Sequence, residues 1–388
     1  MKITNIQTIP LGYMKDLPKI PRSFALVRVE TDKGIIGYGE ASTSYGHFYP
    51  KVVESIVDEA VSRAIIGKDP TNIQDRLQDL NLYINPWLGW EGITSQVIGA
   101  VEIALWDILG KANGMSISEL WGGGLKRIPL YATGTTYPEK GPEWHGKFFD
   151  HVLERGFAAV KTRIGSPYKK AIAQIAGVRE YIGDDLVLLV DGYWTYSTET
   201  AIRLAKEMEE YDVYWFEEPI PQYRLNGLER LCEESPVNIA VGERIYSLSG
   251  FENVITRNAA HILQPDPTVC GGIYESMEIA ALAKANDMKV FPHIGGLTAV
   301  GIAAVLHFAS VIKTDFLEYD SSPYQPLRDE LLKDPIFSLD NIEDGYISVP
   351  EKPGLGIEID EACFEEFAYE PGSDVYPDIY PQLGMGEL

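Results

Sequence analysis

Apolar positions along this chain follow one rhythm up to about residue 125 and another after it. In the first stretch ITNIQTIPL alternates between apolar and polar residues, and FALVRVE and IIGYGEAS flank the turn sequence TDKG. Alternation around a glycine-containing turn predicts antiparallel strands and a hairpin. Helical periodicity follows at 51–66 and at 94–111, where SQVIGAVEIALWDILGKANG stops at Gly114, a residue suited to a helix C-cap. Sheet first and helices afterwards predict a compact α+β domain over 1–125.

From 126 to 345 short apolar runs recur: PLYATG, AAVKTRIG, LVLLVDG, VYWFEEP, NIAVGE, HILQPD, KVFPHIG and DFLEYD. Stretches with helical spacing, such as YKKAIAQIAGVREYIG and TETAIRLAKEMEEYD, separate them. Eight strands alternating with helices predict an α/β fold of the (β/α)8 barrel type. A doubly wound open sheet is the alternative, but the sequence shows neither its Gly-rich first turn nor a switch point. After Pro350, EKPGLGIEID and an aromatic tail predict a segment, 346–388, that returns to the first domain.

Chemistry enters at the strand ends. Asp191, Glu217 and Glu243 close three successive runs at equal intervals of 26 residues, the length of a strand–helix–strand unit. Neighbouring parallel strands lie about 4.8 Å apart, so three such carboxylates can converge on one ion. Hard oxygen ligands suit Mg²⁺, with Mn²⁺ as a substitute, better than Zn²⁺. Alternation assigns Val213, Trp215 and Glu217 to one face, with Glu218 opposite, and sets Lys161 and Arg163 together. Asp266 ends the sixth run, His293 the seventh, and Glu318 shares a face with Phe316 in the eighth. Every strand from the second to the eighth thus ends in an ionisable residue.

Simpler readings compete. A strand-end acid can cap the following helix, a lone histidine can be a satisfied core residue, and Lys161 can snorkel over the rim. The run GGLTAVG after His293 reads either as a phosphate cradle at a helix N-terminus or as a close-packed turn. Asp266 beside His293 favours a working pair, because a carboxylate on one ring nitrogen raises the basicity of the other. A dication, a buried lysine and an oriented imidazole together suit removal of a proton next to a carboxylate. No Ser or Cys stands in a nucleophile motif.

Composition narrows the partners. A net charge of −24 argues against nucleic-acid binding, because phosphate neutralisation needs clustered Lys and Arg. Hydrophobic residues make up 45% of the chain, yet no run approaches the roughly 20 apolar residues of a membrane span. The opening MKITNIQTIPLGYMK lacks a secretory apolar run. Cys232, Cys270 and Cys363 are isolated, which argues against disulfides and CxxC metal sites. The expectation is a cytoplasmic enzyme with no membrane partner.

The order Lys-x-Arg, Asp, Glu-Glu-Pro, Gly-Glu, Asp, His, Glu strongly resembles the mandelate racemase subgroup of the enolase superfamily. IALWDILGK, LLVDG, WFEEP, VGER, ILQPD, PHIGG, LEYD and PGLGIEID extend the likeness along nearly the whole chain. The resemblance implies a modified barrel, (β/α)7β, with an N-terminal α+β capping domain. It implies Mg²⁺ on Asp191, Glu217 and Glu243, and His293 as general base paired with Asp266. Lys161 would neutralise the substrate carboxylate and Glu318 would lie near the enolate oxygens. Capping loops around 13–22 and 44–49 would select the substrate, with Tyr13, Lys15, Arg22, Tyr45 and His47 as candidates. A symmetric homo-oligomer, dimer to octamer, is the family habit.

Two positions depart from the family. Arg163 replaces the second lysine that racemases use as a base, and arginine is a poor proton acceptor. Tyr193 stands where asparagine is frequent and is a further substrate-binding candidate, expected to reshape the pocket. With one good base, loss of water from an aldonate or aldarate to a 2-keto-3-deoxy acid is the first expectation. A sugar-lactone cycloisomerase or an epimerase is the runner-up. Outside the superfamily, a phosphosugar barrel enzyme or a catalytically retired barrel stays in play.

Overall fold

The computed structural model describes residues 1–16, 19–42, 49–133, 149–150, 152–165, 167–322 and 325–370, with the side chains of 15–21 left out of the description. The alternating N-terminal runs form an antiparallel sheet in the order β1 (Ile3–Asp16), β2 (Lys19–Thr31), β3 (Ile36–Ala41). The TDKG turn closes through Gly34 N–H to Thr31 O at 3.0 Å, with Gly34 at φ +71°. Helical periodicity at 51–66 becomes Pro50–Ile56 and Ser62–Ile65, joined by a π-helical turn at Val57–Val61.

The helix Ile93–Asn113 ends at Gly114 in the left-handed conformation, as its glycine predicts. Contrary to the expectation from apolar runs, it is long and apolar enough to cross a bilayer, but most of it is buried inside the protein. There it serves as the core helix under β3. Its contact with β3 is backbone to backbone: a Cβ on Gly39 would stand 1.8 Å from Ala100 O. A second helix, Ile73–Leu88, is absent from the sequence reading. Asn72 and Gly89 stand at its ends, residue types suited to helix boundaries, but no side chain caps the Asn72 start and Pro86 lies inside its last turn.

All eight apolar runs become parallel strands: β4 (Arg127–Thr133), β5 (Ala159–Arg163), β6 (Val187–Asp191), β7 (Val213–Glu217), β8 (Asn238–Val241), β9 (Ile262–Leu263), β10 (Lys289–Val290) and β11 (Leu317–Asp320). They pair in sequence order from β4 to β10, and β11 returns to pair with β4, the cyclic order of a barrel. At the β10–β11 seam a side chain stands in for ladder bonds. The Thr314 hydroxyl lies 3.2 Å from Val290 O and 2.9 Å from Phe316 O. Tyr131, Ala159, Leu189, Trp215, Ala240, Ile262 and Phe291 fill the interior. Each such burial contributes roughly 1.5–3 kcal/mol for the large side chains, and together they make an apolar floor beneath the strand ends.

The chain after the barrel returns to its beginning. β12 (Tyr346–Ser348) pairs antiparallel with β4, Gly354 bridges to Ser116, and Ala368 bridges to Leu11. Asp107 of the core helix accepts from Tyr38 N–H at 3.1 Å and Leu355 N–H at 2.9 Å. His307, fully buried in the barrel helix Ala299–Ile312, completes this junction. Its Nδ1 accepts from Ser118 N–H at 3.3 Å, so Nε2, 3.1 Å from Leu355 O, carries the proton.

That arrangement needs a neutral ring, and burial pushes the His307 pKa down to about 4. A folded value below the unfolded one, about 6.5, gives stability that is present above that pH and lost as pH falls through the folded pKa. Between pH 7 and 4 the protein is expected to lose about 3 kcal/mol more unfolding free energy than its His307→Gln variant. Urea titrations at several pH values measure this, and parallel pH dependences for the two proteins would refute it.

Candidate active site at the barrel mouth

Strand register sets the site. Arg163, Asp191 and Glu217 are aligned partners across β5, β6 and β7, so their side chains rise in one row at the C-terminal ends. Glu243 arrives differently, two residues beyond β8 and after Gly242. Asp266 lies beyond β9, where it caps the short helix Pro267–Cys270, and His293 follows the end of β10 by three residues. Glu318 lies within β11. Capping and proton-transfer geometry therefore coexist at Asp266, since Oδ1 accepts from Thr268 N–H and Oγ1 while Oδ2 faces His293.

The acids are buried and each meets a cation. Lys161 Nζ lies 2.5 Å from Glu217 Oε1 and 2.7 Å from Glu318 Oε1, over the Tyr131 ring at 5.6 Å. Arg163 donates through Nε and Nη2 to Asp191 Oδ2 at 3.0 and 2.9 Å. Arg244 pairs with Glu243 and lies 3.7 Å from Glu218. His293 Nδ1 is 3.0 Å from Asp266 Oδ2, and Nε2 is 3.2 Å from Glu243 and 3.7 Å from Glu318. The other Glu217 oxygen accepts from Trp215 Nε1 at 3.0 Å and Gln264 Nε2 at 2.9 Å.

Electrostatics follow from this crowding. Burial, together with Asp191, Glu318 and Glu243, lifts the Glu217 carboxyl to about 7 despite Lys161. Burial pushes Glu243 up as well, but Arg244 and His293 outweigh it and hold it below its ordinary value. Burial opposes charge on Lys161, yet Glu217 and Glu318 raise its pKa well above normal. The same balance raises Arg163, through Asp191, so its guanidinium remains charged.

Among the described residues, no three His, Cys, Asp or Glu side chains are grouped closely enough to hold a metal ion. Asp191, Glu217 and Glu243 share the mouth, but each is turned toward its own cation. The charge count nonetheless fits a dication. Asp191, Glu217, Glu218, Glu243, Asp266 and Glu318 are all buried, against the permanent cations Lys161, Arg163 and Arg244. A buried excess of carboxylates with an all-oxygen donor set is the chemistry that holds Mg²⁺.

Several residues escaped the sequence reading. Arg244 directly follows Glu243 in VGER, and Gln264 shares strand parity with Asp266; both signals were present. Glu218 does point away from Glu217, as alternation requires. It holds neighbouring strand ends, accepting from Gly242 N–H at 3.1 Å and from the Trp194 indole. Tyr193, Trp194 and Glu218 take left-handed φ values of 46°, 60° and 41°, conformations that cost roughly 1–3 kcal/mol each and cluster at functional sites. The Tyr193 ring lies between Arg163 and Arg244, at 5.0 and 4.9 Å.

The capping candidates divide. Tyr13 donates to Gln325 Oε1 at 2.7 Å, tying β1 to the rim beyond β11. Arg22, its partner across the hairpin, is buried beside Gly296 in the loop after His293. The Lys15 side chain, Tyr45 and His47 lie outside the described residues. The GGLTAVG run is not a phosphate cradle: the N-terminal donors Thr298 N–H and Gly301 N–H already bond the Glu40 carboxylate. The close-packed alternative is correct.

Two family models divide the chain: residues 19–122 match the mandelate racemase / muconate lactonizing enzyme N-terminal domain, and 147–363 match the enolase C-terminal domain-like family. The chain belongs to the enolase superfamily, in its mandelate racemase subgroup. Within this superfamily it is 32% identical to D-galactarolactone cycloisomerase of Agrobacterium fabrum, covering 95% of this chain and 99% of that one. Arabinonate dehydratase of Saccharolobus solfataricus is 31% identical over 91% and 93% of the two chains. A racemase from Streptomyces coelicolor A3(2), solved with bound magnesium, superimposes with a TM-score of 0.86 at 25% identity, over 95% of this chain and all of that one. The fold is accordingly the superfamily's modified barrel with its N-terminal cap.

Lys161 gives this geometry a test. Replacing it with methionine strands two buried carboxylates, which is expected to cost about 3–5 kcal/mol of unfolding free energy in EDTA. Guanidinium titration of Lys161→Met beside the wild type measures the loss. A change under about 1 kcal/mol would contradict the pairing.

Proposed function

We propose that this enzyme is an acid-sugar dehydratase, a hydro-lyase acting on an aldonate or aldarate with one Mg²⁺ per subunit. The carrying observation is a single competent base on one face of the site. His293 Nδ1 faces Asp266, which is itself fixed by Thr268, so Nδ1 would keep its proton, and Nε2, 3.2 Å from Glu243 here, would be the basic nitrogen once an ion occupies Glu243. Arg163, charged and held by Asp191, offers no second base. Racemisation, which wants a base on each face, is disfavoured.

Asp191, Glu217 and Glu243 are the residues that would hold the ion, and they supply only oxygen. When bound, the ion adds positive charge beside the substrate carboxylate as its α-carbon loses a proton. Lys161, between Glu217 and Glu318, supplies a second positive charge for that carboxylate. His293 Nε2 takes the α-proton, and the Cα–H electron pair moves into the carboxylate to give an enediolate. The electrons return as the Cβ–O bond breaks, and the imidazolium delivers its proton to the departing hydroxyl as water. The resulting enol then releases its hydroxyl proton and takes one at C3 to become the 2-keto-3-deoxy acid. Residues 1–125 would cap the mouth, 126–345 would form the barrel, and 346–388 would return to the cap.

A second reading has specific support. The same one-base geometry suits a cycloisomerase acting on a sugar lactone, and the likeness to D-galactarolactone cycloisomerase favours it. Incubation of four- to six-carbon acid sugars and their lactones with Mg²⁺ in D₂O separates the two. A 2-keto product trapped by semicarbazide from an open-chain acid supports dehydration. Keto product only from a lactone, or deuterated isomer without keto acid, supports the isomerase. His293→Asn is expected to lower turnover by about 10²–10⁴-fold while retaining metal binding. A wild-type rate in that variant would remove His293 from the mechanism.

A further inference from the structure

Two buried carboxylates of the N-terminal region reach across to the barrel and grip the start of a helix there. Glu40, at the end of β3, is fully buried and accepts from Thr298 N–H at 3.2 Å, Thr298 Oγ1 at 2.5 Å and Gly301 N–H at 2.9 Å. These donors open the helix Ala299–Ile312. Glu102, midway along Ile93–Asn113, is also fully buried and accepts from Ile273 N–H and Tyr274 N–H, both at 2.8 Å. Those donors open the helix Ile273–Ala285. Each seat is shaped for its carboxylate: a Cβ on Gly301 would come within 2.7 Å of Glu40 Oε2, and one on Gly272 within 2.3 Å of Glu102 Oε2. An anion at a helix N-terminus satisfies its orphan donors and its dipole.

The two helices are not arbitrary. Ala299–Ile312 begins shortly after His293, and Ile273–Ala285 shortly after Asp266. The barrel itself holds these segments lightly. β9 and β10 contribute two ladder residues each, against five in β5, β6 and β7. At the seam beyond β10, the Thr314 hydroxyl contacts carbonyls of both sides. Ser42 N–H, just past Glu40, also bonds Thr268 O at 3.3 Å, and Thr268 in turn holds Asp266.

We propose that Glu40 and Glu102 are positioning residues for proton transfer: the N-terminal domain splints His293 and Asp266 by gripping the helix behind each. The inference rests on the reading in which His293 takes the α-proton. A carboxamide in either seat would turn an N–H₂ toward backbone donors, loosening one half of the dyad without touching the strand-end acids. A misplacement near 1 Å at a reacting group costs about 10²-fold in rate.

The test uses Glu40→Gln and Glu102→Gln with the acid sugar that the wild type turns over fastest. Asp107→Asn serves as comparison, since Asp107 grips Tyr38 and Leu355 rather than a dyad segment. Each Gln variant is expected to lower kcat about 10–100-fold, with KM and Mg²⁺ affinity within about threefold of wild type. The primary isotope effect on α-deuterated substrate should rise in both, as proton transfer becomes slower. Asp107→Asn should lower the melting temperature and leave the isotope effect unchanged. Folded Gln variants with wild-type kcat and isotope effect would overturn this inference alone, as would an equal rise in Asp107→Asn. If the Gln variants fail to fold, Gly301→Ala crowds Glu40 from the helix side and decides the question by the same measurement. Absence of both keto acid and α-proton exchange from the wild type on every acid sugar and lactone would overturn the functional reading, and this inference with it.

Discussion

Everything at the barrel mouth answers to one constraint: more carboxylates are buried there than the chain has cations to match. Charge in a medium of low polarity is tolerated only when paired. Lys161 is therefore shared between Glu217 and Glu318, and Arg163 and Arg244 are drawn in against Asp191 and Glu243. The apolar floor of Trp215, Phe291 and Tyr131 keeps water from relieving the crowding from below. A dication is the natural completion of such a set.

Dehydration of an open acid and opening of a lactone are closer than their products suggest. Both remove a proton from the α-carbon and break a C–O bond at the β-carbon, and they differ in whether the departing oxygen stays tethered. One imidazole with a fixed tautomer serves either. What would separate them is the shape of the space that receives the substrate, a property that loops vary more readily than strand ends.

Much of this was legible because period-2 and period-3.6 patterns are local. The eight barrel strands, the hairpin at TDKG and the Gly114 cap each follow from a few adjacent residues. Parity also put Lys161 with Arg163 and turned Glu218 away from Glu217. The helix Ile73–Leu88 was hidden although Asn72 and Gly89 mark its ends, because Pro86 lies inside it and argues locally against a helix. Glu40 and Glu102 were illegible for another reason: their partners lie 258 and 171 positions away, and nothing at either residue announces a helix end in another domain. Spacing grouped Asp191, Glu217 and Glu243 at one end of the barrel, while the pairing of Arg163 with Asp191 and of Arg244 with Glu243 emerged only from the assembled mouth.

The pairing of β11 with β4 has a consequence for how the chain assembles. Leu317 meets Leu130, so the first barrel strand lacks one parallel neighbour until nearly two hundred further residues have been added. The N-terminal sheet waits longer still for Ala368 to reach Leu11. Contacts of such long sequence separation make closure a late and slow event. Until then the growing polypeptide exposes an unpaired strand edge, the kind of surface that invites mispairing during synthesis.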